Sequence, residues 1–175
     1  MPSAADPFAR LFIGLWPDGA TRAALHDCQR RWAWPPRAVP VARDRLHLTL
    51  HFLGAVPRER VASLVDGLDV AFDPFALMLE EAEVWHGGIA VLQSVGVPPA
   101  LRALHARLHA ALDALQQPSA REHLKAHVTL ARHAKGALPP ARLAPVDWRV
   151  DGYALIESER RPPSQYRVLQ TYPRR

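Results

Sequence analysis

Along most of the chain apolar residues either alternate with polar ones or recur every three to four positions, which divides it into strands and helices. Residues 8–16 (FARLFIGLW) are rich in strand formers and run into Pro17-Asp18-Gly19, after which Ala20, Ala23, Ala24 and Leu25 are spaced for the buried face of a helix. Residues 35–40 form a rigid proline-bounded connection. Residues 45–53 (RLHLTLHFL) alternate: Leu46, Leu48, Leu50 and Phe52 share one face of a strand, and His47, Thr49 and His51 share the other. Gly54 is expected to end that strand, and Pro57 to open a helix through about Leu68. An extended piece over residues 72–85, a turn at Gly87-Gly88 and a returning strand over 89–95 make a hairpin. The strongest helical period lies in residues 98–115, with apolar residues near 101, 104, 108, 112 and 115. A strand over 122–132, with His127, Thr129 and Ala131 on one face and Val128 and Leu130 on the other, precedes a loop over 135–145. Strands over 148–158 and 166–171 complete an α+β layout with the helices outside the sheets.

Composition narrows the setting. The chain has 175 residues, 49% of them apolar and 22% charged, enough for one soluble domain over residues 1–175. One cysteine, Cys28, supports neither an intrachain disulfide nor a multi-cysteine metal cage, and a reducing, cytoplasmic setting is expected. Nowhere do 18 uncharged apolar residues follow one another, so no membrane association is expected. The net charge is +5, and only Lys125 and Lys135 among the basic residues are lysines. Eight arginines against three acids lie in residues 22–60, six acids and no base in 66–83, and five arginines and no acid in 160–175. Arginine's planar fork suits phosphate, so the imbalance directs attention to an anionic partner.

One internal repeat carries chemistry. His47-Leu48-Thr49-Leu50 and His127-Val128-Thr129-Leu130 show the same pattern 80 residues apart, each on a predicted strand. On a strand each tetrad offers an imidazole and a hydroxyl side by side while the aliphatic residues anchor it. A pseudo-twofold arrangement of two intertwined lobes, one tetrad in each, sets the pair on opposite walls of a central cleft. Two such histidines suit hydrolysis of a cyclic phosphodiester, which needs water deprotonated on one side of phosphorus and the leaving oxygen protonated on the other. Thr49 and Thr129 are candidates to hold nonbridging oxygens, and Arg132 to offset transition-state charge, without a metal or other cofactor. Arg132 has the opposite parity from His127 in an ideal strand, so its role needs the strand to end or twist after Leu130. His51 shares the face of His47 and is a further cleft candidate. Trp85, His86 and Tyr166 are candidates to stack on or border a base. His105 and His109, four apart, are expected on a solvated helix face, and His133 in a solvated position.

At these residues the chain resembles the two-histidine phosphoesterases, and more narrowly the RNA 2',3'-cyclic phosphodiesterases formerly described as 2'-5' RNA ligases. The resemblance is nearly full length: RLFIGLWPD, RLHLTLHFLG, WHGGIAVLQ, HVTLAR and the closing VDGYALIESERRPPSQYRVLQTYP. It implies a bilobal α+β fold of antiparallel sheets around a cleft and metal-free opening of RNA 2',3'-cyclic phosphate ends to 2'-phosphomonoesters. In some members it also implies 2'-5' joining. It further implies His127 as general base and His47 as general acid to the 3' oxygen. Lys125-Ala126 stands where many relatives have a proline next to the histidine, which removes no catalytic atom. The expected partner is RNA ending in a 2',3'-cyclic phosphate, tRNA fragments included, acted on by a monomer with no obligate protein partner. Two rivals make different predictions. A phosphodiesterase for a small cyclic nucleotide or ADP-ribose phosphate needs a closed pocket with few arginines leading away, and a non-catalytic RNA-binding accessory protein needs histidines too far apart or buried against carboxylates.

Overall fold

A computed structural model describes residues 6–119, 123–159 and 165–173. In chain order these form β1 (Phe8–Leu15), α1 (Gly19–Arg30), β2 (Val39–Pro40), β3 (Leu48–Pro57), α2 (Val61–Gly67), β4 (Phe75–Leu79), β5 (Glu81–Trp85) and β6 (Ile89–Gln93). After them come α3 (Pro99–Ala114), β7 (His127–Arg132), β8 (Val146–Val150), β9 (Gly152–Ser158) and β10 (Tyr166–Pro173). Glu122, where the pattern starts a strand, lies outside the described residues, as do Arg160, Arg161, Arg174 and Arg175 of the last basic run.

The chain is α+β, and every strand pair is antiparallel. One sheet has the order β10-β9-β1-β3, a second β2-β7-β6-β5, and β4 pairs with β8 in a third. Each four-stranded sheet mixes strands from the two halves of the sequence and carries one of the two tetrads. Asp18 starts α1, its carboxylate accepting the Thr21 N–H at 2.7 Å. In α3 the leucines at 101, 104, 108 and 112 are all fully buried, as the period predicts. They join one core with Leu11, Ile13 and Leu15 of β1 and Leu77 and Leu79 of β4. The opposite face of β1 and β9 forms a smaller cluster of Phe12, Ala154 and Ile156, against which Trp16 and Tyr166 pack. Cys28 is buried, unpaired and held above its ordinary pKa by that burial. Among the described residues no helix is long and apolar enough to cross a membrane.

Several boundaries differ from the sequence pattern, among them the starts of the strands expected from 45 and from 122, which begin at Leu48 and His127. Gly54 does not end β3: at φ +72° it lets the strand bulge and continue to Pro57. The extended piece over 72–85 is two strands, β4 and β5, and the expected strand over 148–158 is also two, β8 and β9, with each pair divided between sheets. Local alternation does not register such a change of sheet, because the residues on both sides of it remain good strand formers.

Candidate active site

His47 immediately precedes β3, and His127 is the first residue of β7. Both imidazoles are held in the same way. Nδ1 of His47 lies 2.7 Å from the Arg45 carbonyl oxygen, and Nδ1 of His127 lies 2.7 Å from that of Lys125, two residues upstream in each case. A carbonyl only accepts, so each Nδ1 carries the proton and each Nε2 keeps its lone pair. The Thr49 hydroxyl donates to Nε2 of His47 at 3.1 Å. Arg22 of α1 steadies the approach to His47 by donating to the carbonyls of Arg43, Leu46 and Pro17 at 3.1, 3.4 and 3.1 Å.

Both strands then carry one extra residue. Ile13 is opposite His51 and Gly14 opposite Thr49, leaving Leu50 unpaired in β3. Ala90 is opposite Ala131 and Val91 opposite Thr129, leaving Leu130 unpaired in β7. Each bulge buries two successive residues, Leu50-His51 and Leu130-Ala131, and exposes the next, Phe52 and Arg132. The side-chain parity is thereby reversed. Arg132 is returned to the side of His127 and Thr129, which supplies the twist its predicted place required. Gly14 permits the close approach on β3, since a Cβ there would lie 2.8 Å from the Leu48 carbonyl oxygen.

The same reversal takes His51 off the face of His47, although with Thr49, Phe52, Trp85 and His127 it lines a neighbouring cavity of about 600 Å3. His51 is 2% exposed and faces away from His47, with its ring 4.0 Å from that of His105 and 5.9 Å from that of His109. Its Nε2 donates to the His105 carbonyl at 3.0 Å, and the His105 side chain bonds in return to the Leu50 backbone. His105 is therefore a half-buried partner of the bulge and not part of a solvated helix face. On β7 the equivalent carbonyl, that of Leu130, accepts from the Val41 N–H at 2.8 Å and from the side-chain amide of buried Gln29 at 2.7 Å.

His47, Thr49, His127, Thr129, Arg132 and Tyr166 line one cavity of about 460 Å3, together with Arg10, Arg45 and Phe52 and, among the described residues, with no carboxylate. Alternation does not single out these last three. A signal for Phe52 is present, since it follows His47 by five residues as Arg132 follows His127. Its ring is 41% exposed and capped by the Arg10 guanidinium at 4.5 Å. Tyr166 meets the His47 ring edge-on at 5.4 Å, beside Phe12 at 4.7 Å and Trp16 at 6.0 Å. Trp85 lies 4.4 Å from the His127 ring and carries the Lys125 ammonium 4.9 Å from its own centroid, so it braces His127. His86 is exposed at the β5–β6 turn and does not line this cavity, a correction to its expected place: the hairpin projects it beyond Trp85.

Burial pushes the His47 imidazole down to about 4. The Arg45 carbonyl opposes that shift, and His127, Arg132 and Arg22 reinforce it through their charge. Burial also lowers His127, against the Lys125 carbonyl and with the help of the Lys125 ammonium. The cleft thus holds two imidazoles whose Nε2 atoms are acceptors, that of His47 already taken by the Thr49 hydroxyl, beside the charges of Arg10, Arg45 and Arg132, which attract an anion; an Nε2 donates to that anion only after gaining a proton. Among the described residues no group of three or more His, Cys, Asp or Glu is placed to hold a metal ion.

The sequence model of the 2'-5' RNA ligase superfamily matches residues 17–162. The chain belongs to that superfamily. Within the superfamily it is 32% identical over 183 aligned positions to the protein named RNA 2',3'-cyclic phosphodiesterase in Thermus thermophilus, covering 93% of this chain and 89% of that one. The crystal structure of E. coli LigT without ligand superposes with a TM-score of 0.78 at 26% identity, covering 96% of this chain and 98% of that one. LigT complexed with 3'-AMP gives 0.79 at 25% identity, covering 95% and 98%. The superfamily is the one that the paired tetrads resemble, and its antiparallel α+β architecture is the one observed.

Proposed function

We propose that this protein hydrolyses the 2',3'-cyclic phosphate at an RNA end to a 2'-phosphomonoester. The observation that carries the reading is the matched pair of imidazoles, each locked at Nδ1 by the carbonyl two residues upstream and sharing one cavity that has no carboxylate among the described residues. Nε2 of His127 takes a proton from water as the water oxygen bonds to phosphorus. The bond from phosphorus to the 3' oxygen breaks, and a proton on Nε2 of His47 passes to that oxygen. His47 must first gain this proton, and the incoming phosphate supplies the negative charge that raises its affinity from the low value of the unliganded cleft. Thr49, Thr129 and Arg132 hold the nonbridging oxygens, where Arg132 offsets the charge that builds in the transition state. The relative named for this activity supports the substrate class, as does LigT in complex with a nucleotide. Three arginines in the lining favour RNA over a small cyclic phosphate, for which few arginines would lead away from the histidines.

The test incubates a short RNA ending in 2',3'-cyclic phosphate with the protein in excess chelator and separates the 2'- and 3'-monophosphate products. Accumulation of the 2' product alone is expected. No product, a 3' product or a requirement for added metal overturns the reading.

A further inference from the structure

A second basic hollow lies at the far end of the strand pair that walls the cleft. It has a volume of about 440 Å3 and is lined by Pro35, Pro36, Arg37, Gly87, His133 and Lys135. Three separate segments build it: the connection after α1, the β5–β6 turn and the chain just beyond β7. The turn is held against the last of these, with the Ala134 N–H donating to the Gly88 carbonyl at 2.8 Å. A Cβ on Gly88 would lie 3.0 Å from the Lys135 nitrogen, so the contact is close and the hollow has a fixed floor. At His133 the backbone takes a φ of 53°, uncommon for a residue with a side chain, as the chain leaves β7 and turns over this floor. Among the described residues no carboxylate lines the hollow. Arg37, His133 and Lys135 are all exposed, and among the described residues neither Arg37 nor Lys135 is in an ion pair.

The short β2–β7 ladder connects the two places. Pro40 pairs with Ala131 and Val39 with Arg132. Val39, Pro40 and Arg132 belong to the catalytic cavity, whereas Arg37 and His133 lie just beyond them on the same two chain segments. A polyanion whose last phosphate sits beside Arg132 therefore finds the next cations along this rail. Unpaired cations facing one hollow with no acid among them keep their full attraction for phosphate.

We propose that this hollow binds a backbone phosphodiester of the RNA upstream of the reacting end, with Arg37 and Lys135 as its principal contacts. The proposal rests on the phosphodiesterase reading and extends it: the enzyme would select a polynucleotide end over a free cyclic mononucleotide. Two substrates with the same terminal nucleoside separate the two readings, namely a nucleoside 2',3'-cyclic monophosphate and a five-nucleotide RNA ending in the same cyclic phosphate. The wild-type KM should be at least about ten-fold lower for the RNA, an advantage that shrinks with salt as phosphate contacts are screened. In Arg37→Ala/Lys135→Ala the ratio of the two KM values should fall to within about three-fold of unity with kcat on the RNA little changed. The salt dependence of log KM should lose about one to two units of slope. Arg37→Lys/Lys135→Arg, which keeps the charges, should restore the ratio, a result that a purely structural role would not give. Inorganic phosphate is the second probe. Phosphate competes at the catalytic cavity in both proteins, so a larger loss of RNA affinity in wild type than in the double alanine variant supports a second phosphate site in the hollow, and an equal loss overturns it. A wild-type enzyme that hydrolyses both substrates with equal KM, or a double variant that keeps the wild-type ratio, overturns the proposal while leaving the phosphodiesterase reading intact. Hydrolysis of neither substrate overturns that reading itself.

Discussion

The two strands that wall the cleft start from one pattern and diverge immediately around it. β3 and β7 each follow a histidine with one intervening residue and a threonine, then bulge at a leucine. In each, the freed backbone of that leucine is bound by a side chain from a helix. On β7 the cap is the Gln29 amide from α1, which does not titrate near neutrality, whereas on β3 it is the imidazole of His105 from α3, stacked on buried His51. Beyond the bulge one wall presents the Arg132 guanidinium and the other the Phe52 ring. Three aromatic rings surround His47, while one ring and an ammonium brace His127. Duplicated geometry thus holds the two imidazoles alike, while unequal neighbours accompany the burial that lowers the proton affinity of both, and the post-bulge charge falls on one side.

The comparison breaks most completely if the two histidines are not both chemical. His47→Ala and His127→Ala should each lower kcat on the cyclic-phosphate RNA by about 10²–10⁴-fold. Near-normal turnover in either variant would reduce that wall to scaffolding. Next in size is the contrast beyond the bulges. Arg132→Ala should lower kcat/KM by about 10–100-fold, because it removes a charge-assisted bond at phosphate, whereas Phe52→Ala should cost less than about five-fold. Equal losses would mean that the walls share the charge work.

The β7 bulge can be loosened from behind. Gln29→Met keeps the volume but removes the donors to Leu130 and Val41, at a cost of about 1–3 kcal/mol in urea denaturation. If the bulge aims Arg132, Gln29→Met should reproduce most of the Arg132→Ala loss in kcat/KM and add little to it in the double variant.

The smallest effect concerns pH. Burial holds His51 at about 4, with the charges of His105 and His109 adding to that shift and the His105 carbonyl opposing it. Above pH 6.5 His51 is neutral in both the folded and unfolded chain. As pH falls from 6.5 to 4 the unfolded chain takes up a proton that the folded one refuses, so stability falls through that window. His51→Leu should remove about 1–2 kcal/mol of the difference in unfolding free energy between about pH 7 and about pH 5. Gln29→Met, behind the other wall, should leave that difference unchanged.

Much of this site is legible in the sequence because it depends on local spacing. His47 with Thr49 and His127 with Thr129 are two-residue relations, and a strand holds them whatever its partner is. The helix over 99–114 is equally plain from its leucines. Arg132, His51 and Phe52 behave differently: each lies past a bulge, and strict alternation assigns each to the wrong face. Local pattern leaves His105 in solvent because its contact is with β3, more than fifty residues away in sequence. Gln29, Arg22 and Arg37 carry no visible sign at all, since a polar side chain on or near a helix looks solvated until the strand or hollow it serves is in place.

The sequence by itself determined the family, the α+β layout and which two imidazoles and two hydroxyls could act together, because those follow from a duplicated motif and from the period of a strand. Only the tertiary structure decided which way the chain faces after each motif. An extra residue in a strand exists only relative to the partner strand it fails to match, here β1 across from Leu50 and β6 across from Leu130. The pairing that turns Arg132 toward the cavity of His127 and His51 into the core is therefore a property of two strands together, written in neither one alone.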